Sequence, residues 1–476
     1  MAFFDSMVEL VNSFPDFNGS FGDKRLEKRA QWALNKLTVG RNSSIRQITQ
    51  NQAEQKSIYR LLENDSFSEK AIEASIVNKC AELSVGRHLL CIQDTTEFNL
   101  SGQENRLKQE SGIGTTSNKN VLGFFMHSGL VIDAVVGSAL GYSGIKLWHR
   151  KATKPDRHKR NYQQQQISEK ESNKWLEVSK ETKKLLSKAK TVTIIADRES
   201  DIYDLLAGVP DEKTHLLIRS SSDRKLEDGN TLATYFKSLP IMHQYILNVQ
   251  GDIRKGVKKR KATLQMKWGK VKIKKPKTSH NVSLNKSIEL NVLEVKEKNL
   301  SNGIYWRILT THEIKSKQQA LQVVEWYKQR WYIEQIHRLL KNEGIRIERS
   351  QLESGWSIRK LTLLSMMAVL RILQMMLAYE DETGQPIEEV FNKSEHECLT
   401  QLNNEMQGET LKQKNLNKIN TLKWASWVIA RLGGWKGYKT QRKPGPIVLQ
   451  KGLIKFYHLF EGWILHQKYF KNVYTQ

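Results

Sequence analysis

Tyr327, Arg330, Glu334 and Lys341 are the residues whose types and spacing best suit chemistry on phosphates. They lie in VVEWYKQRWYIEQIHRLLK, Val323 to Lys341, which has no Gly or Pro and carries apolar residues at helical spacing. That pattern predicts one helix. At about 100° per residue the four fall at roughly 0°, 300°, 340° and 320°, a stripe about 60° wide. One acid among two cations and a phenol is what a site handling phosphates around a metal ion needs. The competing reading is a solvated face with an Arg330–Glu334 pair four residues apart.

Two further acids end apolar runs that read as buried strands: Asp94 after HLLCIQ and Asp197 after TVTIIA. Two acids at strand ends and one on a helix make the composition of a two-metal phosphoryl-transfer site. Carboxylate oxygens are ligands for Mg²⁺ or Mn²⁺, and paired ions activate the attacking hydroxyl and stabilise the leaving oxygen. Each acid also has a structural reading. Asp94-Thr95-Thr96-Glu97 could be a capping arrangement, and Asp197-Arg198-Glu199 a helix start favoured by the helix dipole. Glu97, Glu199, Asp201 and Asp204 compete with them by position. The three acids together, in this order and in a chain of this charge, favour the catalytic reading.

The charge is the strongest global signal. A formal balance of +26 over 476 residues, with pI about 9.7, points to a polyanionic partner, most simply nucleic acid. No apolar run reaches a membrane span and no signal peptide opens the chain, so a cytoplasmic protein with no membrane partner is expected. Cys80, Cys91 and Cys398 lie far apart, without metal-ligand spacing.

The elements that must position these acids follow from periodicity. Residues 1–83 read as a small basic helical domain, either a DNA-binding unit or a plain helical bundle that happens to be basic, with Arg25 and Arg29 exposed on its first helix. Strand, hairpin, helix, strand over residues 87–197 is the opening order of a ribonuclease-H-like α/β sheet, whose ligands gather at strand ends. Residues 84–350 are assigned to that catalytic domain, with a β-rich insertion at about 208–308. Within the insertion, Arg254 to Lys277 holds twelve Lys or Arg and no acid. It is a candidate phosphate-tracking arm, Lys258, Lys259 and Arg260 among its cations, or else a solvated loop. Residues 351–476 read as a helical C-terminal domain that opens on an apolar core helix, Ser357 to Tyr379. Leu453, Phe456, Leu459, Phe460 and Trp463 form a helix face there, suited to a two-fold contact or to docking on the chain's own core.

The spacing Tyr327-x₂-Arg330-x₃-Glu334-x₆-Lys341 resembles the Y-(2)-R-(3)-E-(6)-K signature of bacterial insertion-sequence transposases of the DDE class, closest to the Tn-five group. Asp94-Thr95-Thr96 and Asp197-Arg198-Glu199 are similar to that group's two aspartate motifs. Gly22-Asp23-Lys24-Arg25 with Arg29 resembles its end-binding helix, and Arg431-Leu432-Gly433-Gly434 with Glu461-Gly462-Trp463 its C-terminal region. Leu26 and Glu27 depart from the pattern by reducing the basic cluster beside Arg25. The resemblance implies a triad of Asp94, Asp197 and Glu334 holding two Mg²⁺ or Mn²⁺ ions, with Tyr327, Arg330 and Lys341 on phosphates. It implies that Trp306 stacks on a flipped base, against a core-packing alternative for the same side chain, and that Arg219 touches DNA. It further implies cut-and-paste transposition of double-stranded DNA through a hairpin, by a homodimer in the DNA complex, in the bacterial cytoplasm at the nucleoid.

Overall fold

The computed structural model describes residues 17–108, 110–118, 121–150, 165–249, 259–300, 303–341, 344–380, 382, 384–437 and 443–470. In chain order the helices begin with α1 (Lys24–Gly40), α2 (Ile45–Ile48), α3 (Gln52–Glu63) and α4 (Glu69–Leu83). Strands β1 (His88–Asn99), β2 (Gly114–Thr115), β3 (Leu122–Asp133) and β4 (Ala139–Trp148) follow. Next come α5 (Asn173–Leu185), β5 (Thr191–Ala196), α6 (Tyr203–Gly208), β6 (Thr214–Arg219) and α7 (Leu232–Ser238). Four more strands are β7 (His243–Val249), β8 (Arg260–Lys274), β9 (Ser287–Glu297) and β10 (Tyr305–Thr310). The chain ends in helices: α8 (Lys317–Lys328), α9 (Trp331–Leu340), α10 (Gly355–Glu380), α11 (Lys393–Met406), α12 (Leu422–Leu432) and α13 (Pro446–Phe470). This is a mixed α/β protein.

The chain divides into two compact units, one of Met1–Ser84, Thr95–Thr153 and Tyr332–Gln476, the other of Val85–Asp94 and Lys154–Trp331. These cut the sequence differently from the ranges 1–83, 84–350 and 351–476, because the N-terminal helices share their core with the C-terminal ones. Arg41 donates to the carbonyl of Ala368 at 3.0 Å, and Lys360 to those of Leu62 and Asn64 at 3.0 and 2.8 Å.

In the first unit α10 is the central helix. It is long and apolar enough to cross a membrane, yet 94% of its most apolar window is buried within the chain. Its cations are matched inside: Arg371 pairs with Glu395 at 3.1 Å and also meets the Tyr457 hydroxyl, and Arg359 pairs with Glu69 at 2.6 Å. The C-terminal stripe docks here as well, with Leu453, Phe456 and Phe460 buried and only Leu459 of its aliphatic residues exposed, at 47%. Of the two readings of that stripe, docking on the chain's own core accounts for these three residues. The hairpin expected near residues 120–142 is β3 and β4, paired antiparallel.

The second unit is organised on a sheet in the order β1-β5-β6-β10-β9-β8-β7. β1, β5 and β6 run parallel, and β10, β9, β8 and β7 add antiparallel neighbours in turn. Val192, Ile194 and Ile195 of β5 are buried, the near-continuous apolar run a covered parallel strand requires. Of the basic segment 254–277, residues 254–258 lie outside the described residues and Arg260–Lys274 are a strand. Ala262, Leu264, Met266, Val271 and Ile273 turn inward, while Lys261, Lys270, Lys272 and Lys274 turn to solvent. The pairing with β9 runs without a break, so the buried side changes along the strand: Ala262, Leu264 and Met266 share a face with the exposed Lys270, Lys272 and Lys274, and Val271 and Ile273 are buried on the other. Several of its cations have partners within the unit: Arg260 with Glu297, Lys270 with Glu289 and Lys272 with Glu227.

Candidate active site

Asp94 and Asp197 come together through strand register. β1 and β5 pair in parallel up to Ile92 opposite Ile195. Asp94 and Asp197 each lie two residues beyond that last pair, at the same end of the two neighbouring strands. Asp197 directly follows the last residue of β5, as the sequence indicates. Asp94 does not end its strand: β1 continues to Asn99, and it is the ladder with β5 that stops. The capping reading of Asp94-Thr95-Thr96-Glu97 therefore falls, since all four residues are extended. For Asp197 the structural reading holds in part, because its Oδ1 accepts the Glu199 N–H at 2.9 Å.

Three further groups of the second unit lie nearby: Arg330 beside Asp94, Tyr327 near Asp197, and Arg219 near Tyr327. Arg330 Nη1 lies 3.6 Å from Asp94 Oδ2, with the two side chains 22% and 17% exposed. Tyr327 is buried. Burial pushes its phenol above the usual range, the Arg330 and Arg219 cations oppose that, and the Asp197 carboxylate adds to it. Burial lowers the Arg219 guanidinium, the Tyr327 phenol beside it opposes that, and Arg198 and Arg330 act in the same direction as burial. Arg219 also donates to the Tyr305 carbonyl at 2.9 Å. Trp306 meets the Tyr327 ring edge to face, with centroids 5.7 Å apart. It is half-buried in β10, between the two roles the sequence left open.

The stretch Val323 to Lys341 is two helices and not one. α8 starts on a capping box of Ser316 and Gln319 and ends in tightened turns, where Gln329 N–H donates to Trp326 and Arg330 N–H to Tyr327, both at 3.1 Å. Three-residue closures of this kind end an α-helix, and α9 restarts at Trp331. Tyr327 and Arg330 belong to the second unit, while Glu334 and Lys341 belong to the first. Glu334 is half-buried on α9, and the Lys341 ammonium lies 5.8 Å from the Phe98 ring.

The competing acids have other occupations. Asp201 has a fully buried side chain paired with Arg224 at 2.6 Å and accepts from Ser221 N–H at 2.8 Å. Asp204 accepts from Ser279 at 2.8 Å. Glu97 accepts the Ser117 N–H at 3.1 Å, and the exposed Glu199 reaches Lys174 at 3.5 Å. Among the described residues no group of three or more His, Cys, Asp or Glu is gathered to hold a metal ion. Asp94 and Asp197 nevertheless fit a hard divalent cation in donor chemistry and in register.

Arg25 and Arg29 are exposed on α1, whose N-cap Asp23 accepts the Arg25 N–H at 2.8 Å. Leu26 and Glu27, which seemed from the sequence to dilute the basic cluster, face inward at 4% and 6% exposure. The outward face of Lys24, Arg25, Lys28 and Arg29 is left wholly basic. Lys259 is exposed at the start of β8, Arg260 is engaged by Glu297, and Lys258 lies outside the described residues. Sequence reasoning missed Arg198 as a neighbour of Arg219, although it stands beside Asp197. The contact of Arg330 with Asp94 had no signal in the spacing.

Residues 168–371 match the family model described as transposase DDE domain, and residues 18–67 match the one described as transposase DNA-binding. The first match contains Asp197, Arg219, Trp306, Tyr327, Arg330, Glu334 and Lys341, and the second contains Arg25 and Arg29. The chain therefore carries the catalytic and the DNA-binding domain types of a DNA transposase, and DDE domains of this kind use divalent metal ions. Among solved structures it is similar to a piggyBac transposase synaptic complex with hairpin DNA, at 10% identity and a TM-score of 0.33. That match covers 80% of this chain and 66% of the other, a likeness too low to define the fold.

Proposed function

We propose that this protein is a cut-and-paste DNA transposase with a ribonuclease-H-like core, of the insertion-sequence type that carries the YREK signature and closest to the Tn-five group. What supports the reading is the matching position of Asp94 and Asp197, each two residues beyond the last pair of the parallel ladder between β1 and β5. Arg330, Arg219 and Tyr327 stand around them, inside a chain that matches transposase DDE and DNA-binding models. Asp94, Asp197 and Glu334 would hold two Mg²⁺ or Mn²⁺ ions. When bound, such ions supply Lewis acidity to the attacking hydroxyl and the scissile phosphate. Arg330, Arg219 and Lys341 bind phosphate oxygens and offset the charge that develops on them. Tyr327 donates its hydroxyl to the same backbone, its phenol kept protonated by burial. Trp306 receives a flipped base by stacking, as a tight DNA hairpin must unpair one.

In this reading the outward face of α1 binds the inverted repeat at each transposon end. One strand is nicked, its 3′-OH attacks the other strand to form a hairpin, water reopens it, and the end joins target DNA. Two protomers act together, each on one end, in the bacterial cytoplasm at the nucleoid. Residues 1–83 serve end binding, 84–350 catalysis and 351–476 pairing. The test is to incubate the protein with Mg²⁺, labelled end DNA and a plasmid. Labelled product joined to plasmid supports the transposase. Cleavage without joining leaves a nuclease, and binding without cleavage leaves a regulator of transposon ends.

A further inference from the structure

Arg330 and Asp94 are bound to each other in the DNA-free chain, and both side chains are mostly shielded from water. Arg198 and Arg219 stand in the same neighbourhood, both near Tyr327 or each other. One guanidinium, that of Arg330, thus sits on Asp94, with Arg219 and Arg198 as further cations nearby. A divalent cation that takes Asp94 as a ligand competes with the Arg330 guanidinium for that carboxylate. A DNA phosphate acts the other way, since its oxygens accept a guanidinium's paired N–H groups at least as well as a carboxylate does.

We propose that Arg330 is a placeholder on Asp94, making metal binding conditional on a DNA phosphate that draws the guanidinium away and leaves the carboxylate to the cation. The proposal rests on the reading of Asp94 and Asp197 as metal ligands. It makes the order of assembly a property of the site: DNA first, metal second, and no armed site on a free protein. Binding free energies are reciprocal, so whatever factor DNA adds to metal affinity, metal adds to DNA affinity.

The experiment measures Mn²⁺ binding to the full-length, DNA-free protein by the loss of the free-ion paramagnetic resonance signal. Arg330→Ala and Arg330→Gln are each expected to bind Mn²⁺ at least about 5-fold tighter than the unaltered chain, the lower end of ordinary coupling between sites. Adding Asp94→Ala to either variant removes the gain. Equal or weaker Mn²⁺ binding by both Arg330 variants overturns the placeholder. If Asp94→Ala and Asp197→Ala leave Mn²⁺ binding unchanged in every background, the ligand assignment itself fails. These two failures are read from different samples.

Discussion

Asp197 and Asp201 are four residues apart and both acidic, yet they should fail in opposite ways when replaced. Asp201 is buried to 0% side-chain exposure, and its partner Arg224 to 10%. Arg224 reaches it through Nε at 3.0 Å and Nη2 at 2.6 Å. The other carboxylate oxygen accepts from Ser221 N–H at 2.8 Å and from the Ser220 and Ser221 hydroxyls at 3.3 and 3.2 Å. Asp201→Ala leaves a buried guanidinium without its counter-charge, a loss of about 3–5 kcal/mol. Asp197 is half-exposed and has one capping bond to lose, which costs about 1 kcal/mol. Urea unfolding of the two variants, followed by tryptophan fluorescence, should therefore show a large fall in midpoint for Asp201→Ala and a small one for Asp197→Ala. Nicking of labelled end DNA should be abolished in Asp197→Ala at full folded population. A stable but inactive Asp201→Ala, beside an active Asp197→Ala, would reverse the assignment of the metal ligand.

Three other outcomes follow from the packing. His312 is packed against His215, His88 and Trp326, with ring centroids 4.2, 6.2 and 4.9 Å away; burial, then the two neighbouring imidazoles, lowers its pKa to about 3. The folded protein thus holds fewer protons than the unfolded chain below pH 6.5, so stability is full above that pH and falls towards pH 3, by about 2 kcal/mol at pH 5; His312→Phe should flatten that acid limb in urea titrations. Phe456→Ala should destabilise by about 3–5 kcal/mol, because the side chain is fully buried. Deletion from Lys451 onward should accordingly unfold its unit, leaving Leu459 and Leu465 as the substitutions that test protomer pairing by light scattering on DNA. Neutralising Lys261, Lys274 and Lys277, which are exposed on or after β8, should flatten the dependence of log K on log salt by about 0.9 for each phosphate no longer neutralised. Neutralising Lys270 and Lys272, paired with Glu289 and Glu227, should change it less.

Much of this was legible in the sequence because it rests on local pattern. TVTIIAD gives a buried strand and the acid after it, and the alternation over residues 208–308 gives the added strands. The apolar run at Ser357 to Tyr379 gives the core helix. What escaped depends on tertiary partners. The break between α8 and α9 has no Gly or Pro to announce it, so the stripe drawn through Tyr327 and Glu334 continued across a turn that the chain tightens. The pairing of Arg260, Lys270 and Lys272 along β8 needs Glu297, Glu289 and Glu227, brought in by other segments, so the run looked uncompensated. Leu26 and Glu27 seemed to dilute a basic face because the sequence does not say which way a helix turns. The choice of Asp197 over Asp201 could not be made from spacing at all, since it is Arg224 and a serine loop that occupy the latter.

The most direct measurement is nicking of labelled end DNA in Mg²⁺ by Asp94→Ala, Asp197→Ala and Glu334→Ala, beside a gel-shift titration of the same DNA. The account predicts that all three lose cleavage while their DNA affinity stays within a few-fold of the unaltered protein, because metal ligands act in the transition state and phosphate contacts carry the affinity. Full cleavage by any one of them contradicts its place among the metal ligands.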